Sequence, residues 1–111
     1  MSADPNRARA IGEFVRRLRQ DLPAHLVDIR LFGSEARGEA VPESDIDILV
    51  VVQPDDRRTA LETQIVDIAF DVNLEFSVFV SPTVVTPAIL NHPVWSESPF
   101  IETVRREGIR L

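Results

Sequence analysis

Asp45 and Asp47 are the two residues of this chain whose types and spacing best suit chemistry. They open an apolar run, Asp45 to Val52, which predicts a β-strand. Because side chains alternate along a strand, both carboxylates would project to one side, roughly 6–7 Å apart, and Ile46 to the other. Carboxylates this close repel each other and resist burial unless a cation or a proton lies between them. A hard divalent ion with oxygen ligands, above all Mg²⁺, suits such a pair.

A glycine and a serine end the preceding apolar run, Leu26 to Phe32, which predicts an earlier strand. Gly33 can take backbone angles closed to other residues, so the main chain could approach a ligand closely there. We expect Ser34 to cap a short helix that begins at Glu35. The N–H groups at a helix start, together with the helix dipole, favour an anion such as phosphate.

Each of these residues also has a simpler interpretation. Taken alone, the aspartate pair is also compatible with a case in which Asp45 belongs to a polar loop and Asp47 is solvated at the start of the strand. Arg37 would contact a phosphate, or it would pair at the surface with neighbouring glutamates, which are Glu35, Glu39 and Glu43. Only ten residues separate Ser34 from Asp45, so the phosphate-binding turn at Gly33-Ser34 and the carboxylate pair would nevertheless lie on consecutive elements. That combination favours a site for a metal–nucleotide complex.

This constellation resembles the signature of the minimal nucleotidyltransferases of the polymerase β superfamily. The segment GSEARG at 33–38, followed by SDID at 44–47, is similar to the motif of the MNT antitoxins, which are encoded beside HEPN-domain toxins. The C-terminal stretch 98–109 is also similar to the tail of many such proteins, although only residues 33–47 are specific. The resemblance implies a nucleotidyltransferase fold with a small mixed sheet.

By that resemblance, Gly33, Ser34 and Arg37 would bind the phosphates of ATP, and Asp45 and Asp47 would be catalytic and bind Mg²⁺. A hydroxyl would attack the α-phosphate and pyrophosphate would leave.

Such sites usually take a third carboxylate from the neighbouring strand, which we predict at Glu75 to Val80. There the expected position is occupied by Ser77, and Glu75 would lie on the same face two residues earlier. Glu75 would therefore either be a metal ligand or be a solvated residue at the start of the strand.

The resemblance to MNT antitoxins also implies a partner. Those proteins transfer AMP from ATP to a tyrosine of the HEPN toxin, so a hetero-oligomer and an antitoxin role are expected here. Two alternatives stay open. The chain would be a non-catalytic subunit that neutralises its partner by contact, or it would be a small-molecule nucleotidyltransferase.

Composition narrows the class further. We interpret residues 1–111 as one minimal nucleotidyltransferase domain, large enough for one modest core. A net charge of −6 argues against direct nucleic-acid binding, because that requires many cations to neutralise phosphates. The chain has no cysteine and only two histidines, which excludes thiolate and histidine-based zinc sites. Neither a membrane span nor a signal peptide is evident, and we expect a cytoplasmic protein.

The remaining segments predict the flanking helices. Asp4-Pro5 would start a helix that ends near Leu22, with an apolar stripe along one side and arginines elsewhere, either solvated or facing an acidic partner. Further helices are predicted at 57–71 and at 87–90. A last helix would be capped by Ser98, begin at Pro99 and end just before Gly108. The fold class is therefore α/β, with a small mixed sheet and flanking helices.

Overall fold

A four-stranded mixed sheet lies at the centre of the computed structural model, which describes residues 4–41, 43–54, 58–94 and 97–111. The strands are β1 (Leu26–Phe32), β2 (Ile46–Val52), β3 (Val80–Val85) and β4 (Ile109–Arg110), in the order β3-β2-β1-β4. β1 is antiparallel to β2 and β4, and β2 is parallel to β3. The helices are α1 (Pro5–Asp21), α2 (Gly33–Arg37), α3 (Arg58–Phe76), α4 (Pro87–Leu90) and α5 (Pro99–Glu107). The predicted α/β class with a small mixed sheet is confirmed.

The first helix begins where the sequence predicts. The Asp4 side chain accepts hydrogen bonds from the backbone N–H groups of Asn6 and Arg7, and Pro5 occupies the first helical position. Its apolar stripe is buried against the sheet, and includes Ala10, Ile11, Phe14 and Leu18. The helix therefore covers one face of the sheet.

Strand β2 runs through the middle of the sheet and is buried on both faces beyond Asp47. Ile46, Ile48 and Val50 join the main core beneath α1 and α3. Leu49 and Val51 join a smaller core on the opposite face, which Val104 of α5 completes. Because side chains alternate along the strand, Asp47 lies on the α5 face of the sheet.

The predicted third strand at Glu75 to Val80 is wrong. Helix α3 continues to Phe76, and the strand parallel to β2 comprises Val80–Val85. The helical spacing of buried residues in α3 extends to Val72 and on to the half-buried Phe76, so packing on the core overrides the short alternating pattern. The Asn73 side chain then fixes the turn, because it accepts from the Val80 N–H at 2.7 Å and donates to the Val80 carbonyl at 3.3 Å.

The C-terminal elements follow the sequence closely. Helix α4 at Pro87–Leu90 and helix α5 at Pro99–Glu107 are confirmed, and the Ser98 hydroxyl caps α5 by accepting from the Ile101 N–H at 3.3 Å. The short strand β4 was not predicted. The predicted start of the third helix at 57 lies outside the described residues. Within the described ranges, no helix combines the length and apolarity needed to cross a bilayer.

Candidate active site

The end of β1 and the start of β2 bring Gly33 against Asp47. Phe32 is paired with Asp47 across the antiparallel ladder, so the next residue, Gly33, turns away beside the carboxylate. Gly33 has a φ of +73°, a conformation that L side chains rarely adopt. A Cβ built on it would lie only 2.5 Å from Asp47 Oδ2. Glycine at position 33 therefore permits both the backbone turn and the close approach of the main chain to the carboxylate.

The charges around Asp47 act on its protonation. Partial burial raises the pKa of Asp47, the neighbouring Asp45 carboxylate raises it further, and the Arg37 guanidinium opposes both effects. Asp45, just before β2, is exposed, whereas Asp47 is half-buried. The structure thus brings Asp45, Asp47 and Arg37 within electrostatic range of one another. A cation between the two carboxylates would relieve the repulsion that raises the pKa of Asp47.

Ser34 lies in the first turn of α2 rather than at its cap. The helix begins at Gly33, Phe32 is the N-cap residue, and no side-chain capping bond forms there. The prediction that Ser34 caps a helix starting at Glu35 is therefore wrong, because the helix begins two residues earlier and Phe32 takes the cap position. Gly38 ends the helix in the left-handed conformation.

Arg37 is held at the surface between α2 and α5. Its guanidinium bonds to Glu39 Oε2 and to Glu107 Oε2, each at 3.0 Å. The predicted surface pairing with Glu39 is thus present, and Glu107 is an additional partner. Because its side chain is 40 % exposed and also acts on Asp47, Arg37 remains accessible to a ligand at this edge of the sheet.

A buried ion pair supports both halves of the site. Glu35, fully buried, accepts from Arg7 Nε at 3.2 Å through both carboxylate oxygens. Arg7 Nη2 also donates to the Ser44 carbonyl at 2.9 Å, directly before Asp45. One guanidinium therefore ties α1 to α2 and to the residue that precedes the aspartate pair.

Sequence reasoning missed this pair, because it placed the arginines of the first helix either in solvent or facing an acidic partner, whereas Arg7 is buried. The prediction for Arg7 is wrong. The available signal was its position: Arg7 lies three and four residues before Ala10 and Ile11, on the buried stripe of α1.

The residue that faces Asp47 from the third strand is Ser81. Register pairs Asp47 with Ser81 and Leu49 with Thr83, so hydroxyl groups line this side of β3. Ser77 lies in the turn after α3 with a φ of 55°, and Glu75 lies in the last turn of α3, where it accepts from Arg17 Nη2 at 2.6 Å. The prediction that Glu75 or Ser77 faces the site from a strand is therefore wrong. Among the described residues, no cluster of three or more acidic or histidine side chains could hold a metal ion.

Comparison with known proteins identifies the family of this chain. Residues 11–104 match the nucleotidyltransferase domain family model, and the chain belongs to that family. It is 34% identical over 104 residues to a "putative protein adenylyltransferase" of Methanocaldococcus jannaschii, covering 93% of this chain and 95% of that protein. A second protein of the same description and organism is 30% identical over 106 residues, covering 91% of this chain and 98% of its own length.

Solved structures share the fold. A "putative minimal nucleotidyltransferase" is 28% identical with a TM-score of 0.59, and covers 100% of this chain and 97% of its own. A toxin–antitoxin crystal structure with AMP-PNP is 24% identical with a TM-score of 0.58, covering 89% of this chain and 69% of that one. This chain is accordingly a nucleotidyltransferase, and its relatives are described as protein adenylyltransferases.

Proposed function

We propose that this nucleotidyltransferase transfers AMP from Mg²⁺-bound ATP to a hydroxyl of a partner protein. The observation that supports this most is the contact between Gly33 and Asp47, because it joins the backbone turn at α2 to the carboxylate pair. A phosphate group near α2 and a metal ion on Asp45 and Asp47 would then be neighbours.

Each residue would have a separate task in the transfer. Gly33 and Ser34 would bind the terminal phosphates through the backbone and hydroxyl groups at the start of α2. Arg37 would contribute positive charge toward the same phosphates. Asp45 and Asp47 would hold Mg²⁺, which supplies charge neutralisation and lowers the pKa of the attacking hydroxyl when bound.

The reaction is balanced without any further reagent. The acceptor oxygen forms a bond to the α-phosphorus, the bond from that phosphorus to the bridging oxygen breaks, and pyrophosphate leaves. The hydroxyl proton passes to solvent. The site residues bind and orient the triphosphate so that attack and departure occur in line.

We further propose that the acceptor is a tyrosine of a HEPN-type toxin and that the chain is its antitoxin. The motif at 33–47 supports this through its resemblance to MNT antitoxins. The curated relatives described as protein adenylyltransferases support a protein acceptor. The fold is also shared with the antitoxin-containing crystal structures.

The test is intact-mass measurement of the partner. The candidate HEPN-type partner is co-expressed with the wild type, with Asp45→Asn/Asp47→Asn, and with Glu43→Gln, an exposed acidic control in the same loop. We expect the added mass of AMP with the wild type and the control, and none with the double variant. Added AMP in the double variant would contradict the catalytic assignment.

A second candidate, neutralisation by contact alone, is favoured by one observation. Ser81 rather than a carboxylate faces Asp47 from β3, which would weaken the hold on a second metal ion. If the wild type blocks the partner's activity without any mass change, and the double variant blocks it equally well, contact neutralisation is the function.

A further inference from the structure

Helix α3 presents an apolar stripe to solvent. Val66, Phe70 and Leu74 are spaced four residues apart, so they lie one above another on the same side of the helix. Their exposed fractions are 53%, 60% and 68%, although each is a large apolar side chain. Phe79, in the segment after α3, is 65% exposed. We call these four residues the α3 stripe.

The stripe ends in a depression beside the candidate active site. A depression of about 530 Å³ is lined by Phe70, Asn73, Leu74, Ser77, Val78 and Phe79. The Phe79 carbonyl accepts from the Ile46 N–H at 2.8 Å, so Phe79 lies next to the residue that follows Asp45. Asp47 lies on the opposite, α5 face of the sheet, so a molecule seated on the α3 stripe would approach the aspartates around the start of β2, beside Asp45.

The charge around the stripe is acidic. Asp67 and Asp71 are exposed on α3 and border the stripe on one side. The sequence from Thr59 to Phe79 contains four acidic residues and no lysine, arginine or histidine, and one of the four, Glu75, is paired with Arg17 of α1. A second copy of the chain would bring its own acidic border and its net charge of −6 against this surface. A cationic partner would instead find opposite charge beside the apolar side chains.

We propose that the α3 stripe is the docking surface for the acceptor protein, and that it receives an amphipathic helix with an apolar face flanked by arginine or lysine. Such a helix would place its apolar side chains on Phe70, Leu74 and Phe79 and its cations near Asp67 and Asp71. Docking there would bring the acceptor near the start of β2, where Asp45 and Asp47 lie. This inference rests on the proposed transfer to a protein, and its test separates the two.

The test measures binding of a defined probe to the full chain. The probe is a fluorescent helical peptide about 18 residues long, with leucines at every third or fourth position and arginines on the flanks. A second peptide has glutamate in place of every arginine. Anisotropy is recorded for the wild type, for Phe70→Glu/Leu74→Glu, and for Val94→Glu, which changes a 70% exposed valine outside α3.

We expect the arginine peptide to bind the wild type and the Val94→Glu control equally, and to bind the double variant about tenfold more weakly or less. Asp67→Arg/Asp71→Arg should also weaken binding of the arginine peptide, because arginines at these positions would repel the arginines of the peptide. Unchanged melting temperatures show that the variants fold, since all the altered side chains are exposed.

Three results would overturn the proposal. The glutamate peptide binds as well as the arginine peptide, the Phe70→Glu/Leu74→Glu variant retains full binding, or sedimentation shows a dimer of the chain that this variant dissociates. The proposed function is tested separately on the same samples. If Mg²⁺-ATP fails to bind the wild type while the arginine peptide binds, the docking surface stands and the transfer reaction does not.

Discussion

The backbone of Gly33, directly after β1, lies against the carboxylate of Asp47 in the neighbouring strand β2. A Cβ at position 33 would meet Asp47 Oδ2 at 2.5 Å, and the φ of +73° is itself unfavourable for any other residue. The turn between β1 and α2 and the position of Asp47 therefore depend on each other. This dependence can be measured, because the chain contains a second glycine with the same φ and no such contact.

Gly33→Ala should destabilise the protein by about 2–4 kcal/mol, because it combines an unfavourable φ with a collision at Asp47. Gly38→Ala is the matched control, since Gly38 also has a φ of +73° but nothing within 4 Å of an added Cβ. We expect it to cost only about 1–2 kcal/mol. Urea unfolding measures the free energy of unfolding of both variants. Equal losses of stability would show that the collision with Asp47 adds nothing to the cost of Gly33→Ala.

Removing one partner of the buried Arg7–Glu35 pair should strongly destabilise the protein. Arg7→Met leaves the fully buried Glu35 carboxylate without its guanidinium, which should cost about 3–5 kcal/mol. Arg7→Met/Glu35→Leu removes both charges and should recover most of that loss. Denaturant unfolding of both variants checks this. A double variant as unstable as the single one would mean that the Arg7 bond to the Ser44 carbonyl, rather than the pair, supplies the stability.

The raised pKa of Asp47 predicts a gain in stability on neutralisation. A carboxyl whose folded pKa is raised stabilises the fold below its ordinary value of 3.8 and loses that contribution as the pH rises through the folded pKa. At pH 7 Asp47→Asn should therefore raise the melting temperature of the metal-free chain by roughly 2–6 °C. Near pH 3 the gain should disappear. Asp67→Asn, at an exposed position on α3, is the control and should have little effect at either pH.

Arg37 should matter to the nucleotide more than to the fold. Its bonds to Glu39 and Glu107 are at the surface, where each ion pair contributes about 0–1 kcal/mol. Arg37→Gln should leave the melting temperature nearly unchanged and weaken Mg²⁺-ATP binding about tenfold or more. Arg16→Gln removes a comparable exposed arginine that bonds to Glu13 on α1, and should leave binding intact. Equal effects of the two variants on Mg²⁺-ATP binding would show that Arg37 forms only surface ion pairs and does not contact the nucleotide.

The sequence predicts the local features around the site correctly, but it misplaces the third strand of the sheet. Strand β1, the strand that begins at the aspartates, and the cap of α5 follow from periodicity and capping residues, which act over a few positions. The strand after α3 was misplaced, because the alternation in EFSVFV competes with a helical stripe that packing extends to Phe76. The Arg7–Glu35 pair joins residues 28 positions apart, and no local pattern reports such a contact.

Titration calorimetry with a non-hydrolysable ATP analogue measures nucleotide binding at the site without requiring a partner. We expect the wild type to bind the analogue with Mg²⁺ and to lose most of that affinity in EDTA, and we expect Asp45→Asn/Asp47→Asn to bind it weakly in either buffer. Binding that is unchanged by EDTA and by the double substitution would contradict a metal–nucleotide site at Gly33, Asp45 and Asp47.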